Sequence, residues 1–320
     1  MSHVELFDTT PKIAQKSTQS KLQVITDEIV APGRFPSWLH RKLPRGGELF
    51  DTHSIIKKNR LHTVCEEAKC PNITECYSKK TATFLIMGKE CTRACGFCDI
   101  DFSKTPKALD TDEPEHVALS VKELGLKHVV ITMVARDDLI DGGAMHLVKV
   151  MQAVRKNCPG VTIETLTSDF DGKQEALDIV LQEAPEIFNH NVETVPRLAP
   201  RVRHKATFER SLATLNYAKE KNHAQLVKSG IMVGLGETKD EVVEVLKKLC
   251  ASGCDIVTIG QYLQASRKKL KVAEFIHPDI FKEYEEIGHS LGIRYMYTGP
   301  FVRSSYNANL VINNFIINSH

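Results

Sequence analysis

From residue 81 onward, short apolar runs alternate with longer amphipathic stretches. Runs at 81–87, 128–134 (HVVITMV), 161–167 (VTIETLT), 186–192 (EIFNHNV), 229–235 (SGIMVGL), 255–262 (DIVTIGQY) and 293–298 read as strands. Helices are expected between them, at about 114–125, 143–157, 173–183, 207–221, 239–251 and 279–291. Asp112-Glu113-Pro114 and Thr238-Lys239-Asp240-Glu241 look like helix starts. A repeating β–α order implies parallel strands joined by right-handed crossovers, hence an α/β barrel or open part-barrel. In such folds chemistry sits at the C-terminal ends of the strands. Residues 1 to about 50 show only weak periodicity and are broken by Pro32, Pro36 and Pro44. They read as an extension draped over a domain, with 1–25 equally readable as a disordered leader.

Composition narrows the class without naming a function. The 320 residues suffice for one large α/β domain or two smaller ones, and 42% hydrophobic with 26% charged is ordinary for a globular protein. A formal net charge of +2 creates no strong field toward nucleic acid or membrane, so neither partner is expected. The start, Met1-Ser2-His3-Val4-Glu5-Leu6-Phe7, lacks an apolar signal region, and no apolar run has spanning length. A cytoplasmic location is the expectation. There, clustered cysteines read as metal ligands or catalytic thiols before disulfides. Of the nine cysteines, Cys158, Cys250 and Cys254 stand apart and read as small buried hydrophobes.

The other six form two triplets. Cys91, Cys95 and Cys98 follow the first barrel strand at spacing C-x3-C-x2-C, one thiolate short of a closed four-ligand site. A [4Fe–4S] cube offered three cysteines keeps one iron open; a zinc knuckle is the other reading of so short a spacing. Phe97 stands where it would shield one side of a bound cofactor. Cys65, Cys70 and Cys76 form a second triplet, C-x4-C-x5-C, ending fifteen residues before Cys91. Two adjacent triplets, each lacking a fourth cysteine, fit two iron–sulfur clusters better than two closed zinc sites.

Polar groups recur at strand ends. Ala135-Arg136-Asp137-Asp138 through Asp141-Gly142-Gly143 offers carboxylates to an ammonium or hydroxyl, or is a solvated loop with Asp141 capping a helix. On a strand, Asn189, Asn191 and Glu193 share one face and would enter the barrel mouth together, unless they form a satisfied buried network. Gly230, Gly234 and Gly236, with Glu237, let a ligand lie against backbone. Arg303-Ser304-Ser305-Tyr306 follows the last strand, and a serine oxygen can bind iron.

The C-x3-C-x-F-C pattern after a first strand resembles the signature of radical S-adenosylmethionine (SAM) enzymes. Together with the C-x4-C-x5-C triplet, Ala135–Ala144, Asn189–Leu198, Met232–Thr238, Gln261–Gln264 and Arg303–Tyr306, it resembles the lipoyl synthases over about residues 33–308. Ala265, where the family usually has proline, the stretch Lys268-Lys269-Leu270-Lys271 and Leu166–Asp169 depart from the family pattern. They touch no cluster ligand.

The resemblance implies a radical SAM partial (β/α)6 barrel at 79–298 between an N-terminal extension, 1–78, and a C-terminal one, 299–320. The two extensions would carry an auxiliary cluster. Cys91, Cys95 and Cys98 would hold the [4Fe–4S] cluster that binds SAM and passes it an electron, giving methionine and a 5′-deoxyadenosyl radical. Phe97, Thr132, Asp137, Asn191, Glu193, Arg203, Gly234, Gly236 and Glu237 would surround SAM. Cys65, Cys70 and Cys76 with Ser305 would hold an auxiliary [4Fe–4S] cluster that donates sulfur and is consumed. The substrate would be an octanoyl-lysine, thiolated at C6 and C8, on lipoyl domains of 2-oxoacid dehydrogenase complexes or the glycine cleavage H protein. An electron donor such as flavodoxin or ferredoxin is implied, and an iron–sulfur carrier is a further candidate partner. Lipoyl-bearing domains tend to be acidic, which makes Arg41, Arg45, Lys268 and Lys269 candidate docking groups. Biotin synthase is the nearest rival, and a zinc protein that binds nucleic acid is the rival from another class, though no basic aromatic stripe favours it.

Overall fold

The computed structural model describes residues 35–41, 47–222 and 225–308. Arg45, among the candidate docking groups, lies outside them. An eight-stranded sheet runs in the order β1 (His62–Thr63), β2 (Thr83–Ile86), β5 (His128–Met133), β6 (Thr162–Leu166), β7 (Ile187–Asn189), β8 (Leu226–Val233), β9 (Ile256–Gln261), β10 (Tyr295–Gly299). β1 is antiparallel to β2, and every later neighbour is parallel. A two-stranded ribbon, β3 (Glu90–Cys91) with β4 (Asp101–Phe102), sits beside it. Sequential strand order with helices between is the open barrel expected from the alternation. The helices are α4 (Glu113–Leu124), α5 (Ala144–Asn157), α6 (Gln174–Gln182), α8 (Phe208–Lys221), α9 (Lys239–Ala251) and α10 (Pro278–Ser290), with a short α7 (Ala199–Val202) before α8. Among the described residues, three more precede the barrel: α1 (Glu48–Lys58), α2 (Val64–Glu67) and α3 (Ile73–Ser78). Six β–α units are thus followed by β10 as a closing strand.

β5 and β9 are buried along their whole length because helices cover one face and the barrel interior the other, so they read as unbroken apolar runs. Residues Val129, Ile131, Ile163, Phe188, Val227 and Val257 point outward into the main core. There they meet the apolar stripes of the helices, such as Leu147, Val150, Met151 and Val154 of α5. Thr238 and Glu241 form a reciprocal capping box, so α9 starts where expected.

The inside of the arc is built in layers. Ile187 and Ile256, backed by Leu226 and Tyr295, form a small apolar plug separate from the main core. Beside it lies a charged layer: Lys228 Nζ stands 2.9 Å and 3.0 Å from the two Glu164 oxygens, and Asn189 Nδ2 donates to Glu164 Oε1 at 2.7 Å. All three side chains are buried. Asn189 therefore belongs to the barrel floor. The strand ends there, and Glu193 takes a left-handed φ of 65°, so the continuous strand face expected over Asn189, Asn191 and Glu193 is not formed. Asn191 and Glu193 still meet, Nδ2 donating to Oε1 at 3.1 Å, but across a turn.

Candidate active site

The loop from Cys91 to Cys98 is held from three directions. Thr92 N–H and Oγ1 both donate to Ala135 O at 3.0 Å, and Oγ1 accepts Asp137 N–H at 3.0 Å. Arg93 grips Asp137 through Nε at 2.9 Å and Nη2 at 2.7 Å, and its Nη1 reaches Asp169 at 2.6 Å. Gly96 donates to Val202 O at 2.8 Å and accepts from Leu270 N–H at 3.0 Å. A Cβ at position 96 would press on Arg201 O and Leu270 Cδ1, both at 3.0 Å, so glycine lets the loop pass between those segments without displacing them. The thiols are drawn out of water. Burial, with the neighbouring thiols adding to it, pushes Cys95 to about 11 and Cys98 to about 12, and raises Cys91. Backbone N–H groups of Arg93 and Ala135 point at Cys91 Sγ, and that of Ile100 at Cys98 Sγ. Such donors stabilise sulfur once it is an anion.

In the second triplet, Cys65 lies on α2, Cys76 on α3 and Cys70 in the turn between them. Tyr77 locks this hairpin: its hydroxyl pairs with Thr63 Oγ1 at 2.7 Å, and its carbonyl accepts Thr52 Oγ1 at 2.8 Å. Cys65 is buried against Thr83 N–H, and loss of water raises it to about 12 and Cys76 to about 11. The segment after β10 packs onto this triplet. Asn72 Nδ2 donates to Phe301 O at 2.7 Å, and Tyr306 O–H to Glu75 Oε1 at 2.9 Å. Arg41 pairs with Glu75 at 2.8 Å and lies 3.8 Å from the Phe301 ring centre. Ser304 Oγ donates to Asn191 Oδ1 at 2.8 Å, and Ser305 is the next residue of that turn. Arg303 interacts electrostatically with both Cys70 and Glu193.

Each triplet is a set of three soft sulfur donors whose thiols are near enough to raise one another. Among the described residues, no three His, Cys, Asp or Glu side chains converge on one ion position. Ionising such buried thiols is the work a bound cluster would do.

Around Cys95 the structure gathers Glu193, Arg203 and Asn191. Arg203 is buried, donating to Asn191 O at 2.5 Å and Ser211 Oγ at 2.9 Å. Burial raises the Glu193 carboxyl despite Arg203. His190 continues this network: Nδ1 meets Thr167 O at 2.9 Å, which only accepts, so Nδ1 carries the proton and Nε2 accepts Ser211 O–H at 2.9 Å. Burial and Arg203 lower His190 to about 4. Thr132 Oγ1 donates to Leu166 O at 3.1 Å, and Phe97 packs partly into the core. Gly234 and Gly236 take φ of 97° and 105°, and Glu237 folds back to accept Gly234 N–H and, at 3.0 Å, Leu235 N–H. The carboxylates of the 135–143 loop are engaged: Asp137 by Arg93, Asp138 by Arg136 at 2.8 Å, and Asp141 by the N–H groups of Gly143 and Met145 at 3.0 and 2.8 Å. The cap of α5 is Gly143, at a φ of 91°, rather than Asp141, which lies two residues earlier and accepts from the start of the helix. The grip of Arg93 and the packing of Asn72 and Glu75 on Phe301 and Tyr306 carry no sequence signal, because each joins loops far apart in the chain.

Residues 85–249 match the Radical SAM superfamily. A lipoyl synthase from Protochlamydia amoebophila is 67% identical over 89% of this chain and 89% of its own length. The chain belongs to the lipoyl synthase family. Lipoyl synthases of Chlamydia felis (52% identical, 88% of this chain, 90% of theirs) and Chlorobium chlorochromatii (48%, 89% and 97%) align as fully. The radical SAM family implies a [4Fe–4S] cluster and SAM, and lipoyl synthesis implies octanoylated substrate proteins. Among solved structures, Streptococcus suis SuiB bound to S-adenosylmethionine shares the fold at a TM-score of 0.54 and 11% identity, over 71% of this chain and 53% of that one. HydG, a maturase of the [FeFe]-hydrogenase, does so at 0.52 and 15%, over 79% and 63%. Among the described residues, no helix is long and apolar enough to cross a membrane.

Proposed function

We propose that this chain inserts sulfur at C6 and C8 of a protein-bound octanoyl-lysine, using two [4Fe–4S] clusters held by its two cysteine triplets. Cys91, Cys95 and Cys98 take the SAM-binding cluster. Cys65, Cys70 and Cys76, with Ser305 as the fourth ligand, take the auxiliary one. The bound groups supply an alkyl radical able to break unactivated C–H bonds, and the sulfur that replaces the hydrogen, neither of which side chains provide.

The protein's own residues position and exclude. Arg93 and Thr92 fasten the SAM-cluster loop to the ends of β5 and β6. Arg203, Glu193 and Asn191 offer charge and amide groups beside Cys95 for the polar ends of SAM, with Phe97 and Thr132 at its sides. Asp137 and Glu237 act chiefly through what they hold, Arg93 and the Gly234–Gly236 turn. The division proposed is an N-terminal extension, 1–78, the barrel, 79–298, and a C-terminal extension, 299–320. The observation that supports the reading is the hydrogen bonding of Phe301 and Tyr306 to Asn72 and Glu75, which neighbour Cys70 and Cys76 in the chain as Phe301 and Tyr306 flank Ser305. A hard oxygen beside soft thiolates suits a cluster meant to come apart.

The partners proposed are lipoyl domains of 2-oxoacid dehydrogenases and the glycine cleavage H protein, a flavodoxin or ferredoxin as electron donor, and an iron–sulfur carrier that rebuilds the auxiliary cluster, all in the cytoplasm. Iron and sulfide per chain after anaerobic reconstitution test the core of this. About eight iron in the native chain, falling to about four in the Cys65/Cys70/Cys76→Ala variant, is expected. Four in both proteins, or zinc in place of iron, overturns it.

A further inference from the structure

Three loops that the sequence keeps far apart meet on one carboxylate. Asp99, the residue after Cys98, pairs with Lys69 Nζ at 2.5 Å through one oxygen and accepts Ser266 O–H at 2.7 Å through the other. Lys69 lies directly before Cys70, at a φ of 50°, in a turn closed by Lys69 N–H to Glu66 O and Cys70 N–H to Cys65 O, both at 3.0 Å. Ser266 rides on the loop after β9. That loop also meets the SAM-cluster loop through Leu270 N–H and Gly96 O, and it is braced by Tyr262 O–H on Leu270 O at 2.7 Å. The hydrogen bonds of Lys69 and then Ser266 hold Asp99 below the usual carboxylate range.

The Lys69 side chain is 59% exposed, so this ion pair adds little to stability. What it does fix is direction, since each carboxylate oxygen answers to a different loop. We propose that Asp99 is a positioning residue that sets the placement of one cysteine triplet against the other, with Lys69 as its partner on the second triplet and Ser266 as the tie to the β9 loop. This rests on the two-cluster reading above. A hydrogen-abstracting radical arises at one triplet and sulfur is delivered from the other, so an error in their spacing misdirects turnover without preventing SAM cleavage. Small misplacements cost rate steeply in reactions that depend on prior alignment.

The test uses the reconstituted full chain and Lys69→Met, Lys69→Arg and Ser266→Ala variants, each with an octanoylated substrate protein. Three quantities are read: iron per chain, the spin–spin interaction between the two reduced clusters by pulsed electron paramagnetic resonance, and the ratio of 5′-deoxyadenosine formed to sulfur inserted. Lys69→Met is expected to retain about eight iron, to alter the spin–spin interaction and to raise the ratio about threefold, with Ser266→Ala intermediate and Lys69→Arg restored. Eight iron with an unchanged interaction and ratio in Lys69→Met overturns the proposal. Loss of half the iron in that variant also overturns it, since Lys69 would then merely retain the auxiliary loop. Four iron in the native chain contradicts the two-cluster reading instead.

Discussion

Glu164 and Lys228 carry charge inside the barrel, and each depends on the other. Burial works against the Glu164 carboxylate, yet Lys228 and His128 hold it at about 2. Removing one partner strands the other charge: Lys228→Met should cost about 3–5 kcal/mol in urea unfolding, and a further Glu164→Leu change should recover much of that. A second buried group sets an acid limit. Unfolded histidine binds its proton near pH 6.5, whereas folded His190 does so only near 4. Between those values the unfolded chain binds more protons, so stability falls as pH drops through that interval, by up to about 3 kcal/mol from this residue. Unfolding midpoints at pH 7, 5.5 and 4.5 should therefore converge between the native chain and His190→Gln as the pH falls. Parallel curves would dismiss the effect.

At the level of elements, β10 and the turn after it close the site. A Cβ on Gly260 would lie 2.0 Å from Val302 O, so Gly260→Ala must push the 301–306 turn off β9. Overpacking of this kind costs about 1–3 kcal/mol. The expected outcome is a folded barrel that keeps the SAM-site iron, loses the auxiliary iron and no longer makes product. Ser305→Cys makes the complementary prediction: both clusters and SAM cleavage persist while sulfur insertion fails, and full product formation would remove Ser305 from the mechanism.

The β–α alternation was legible along the chain because strands covered on both faces read as apolar runs and caps such as Thr238–Glu241 are local. The run at 186–192 misled, since Asn189 answers to Glu164 in the barrel floor and the chain turns at Glu193. α1 was missed because its face buries Thr52 as well as Ile56. Both cysteine triplets were visible as spacing. What organises them was not: Arg93 on Asp169, Asn72 on Phe301 and Lys69 on Asp99 are pairings that exist only after distant loops have met.

For the whole molecule, net charge of +2 conceals a local basic stretch at Arg267, Lys268, Lys269 and Lys271, on the loop tied to Gly96 and Asp99 beside the cluster loops. If the octanoylated domain docks there through acidic groups, Lys268→Glu/Lys269→Glu should slow turnover of the intact domain several-fold, more at low salt, and spare a free octanoyl-lysine peptide. Equal losses on both substrates would contradict docking at this loop.

The closing turn has a consequence for how the molecule is made. Cys91, Cys95 and Cys98 lie within one loop, available once the early strands exist. The surroundings of Cys65, Cys70 and Cys76 are finished by contacts spanning 229 and 231 residues, Asn72 to Phe301 and Glu75 to Tyr306. During synthesis the partners of this triplet follow the barrel strands out of the ribosome, so on the two-cluster reading an emerging chain would be able to take up its first cluster before it could enclose its second. Opening of the 301–306 turn would reopen that second site with the barrel intact. Order of assembly and order of loss then mirror each other, which is a useful property if the auxiliary cluster is a part to be spent and replaced.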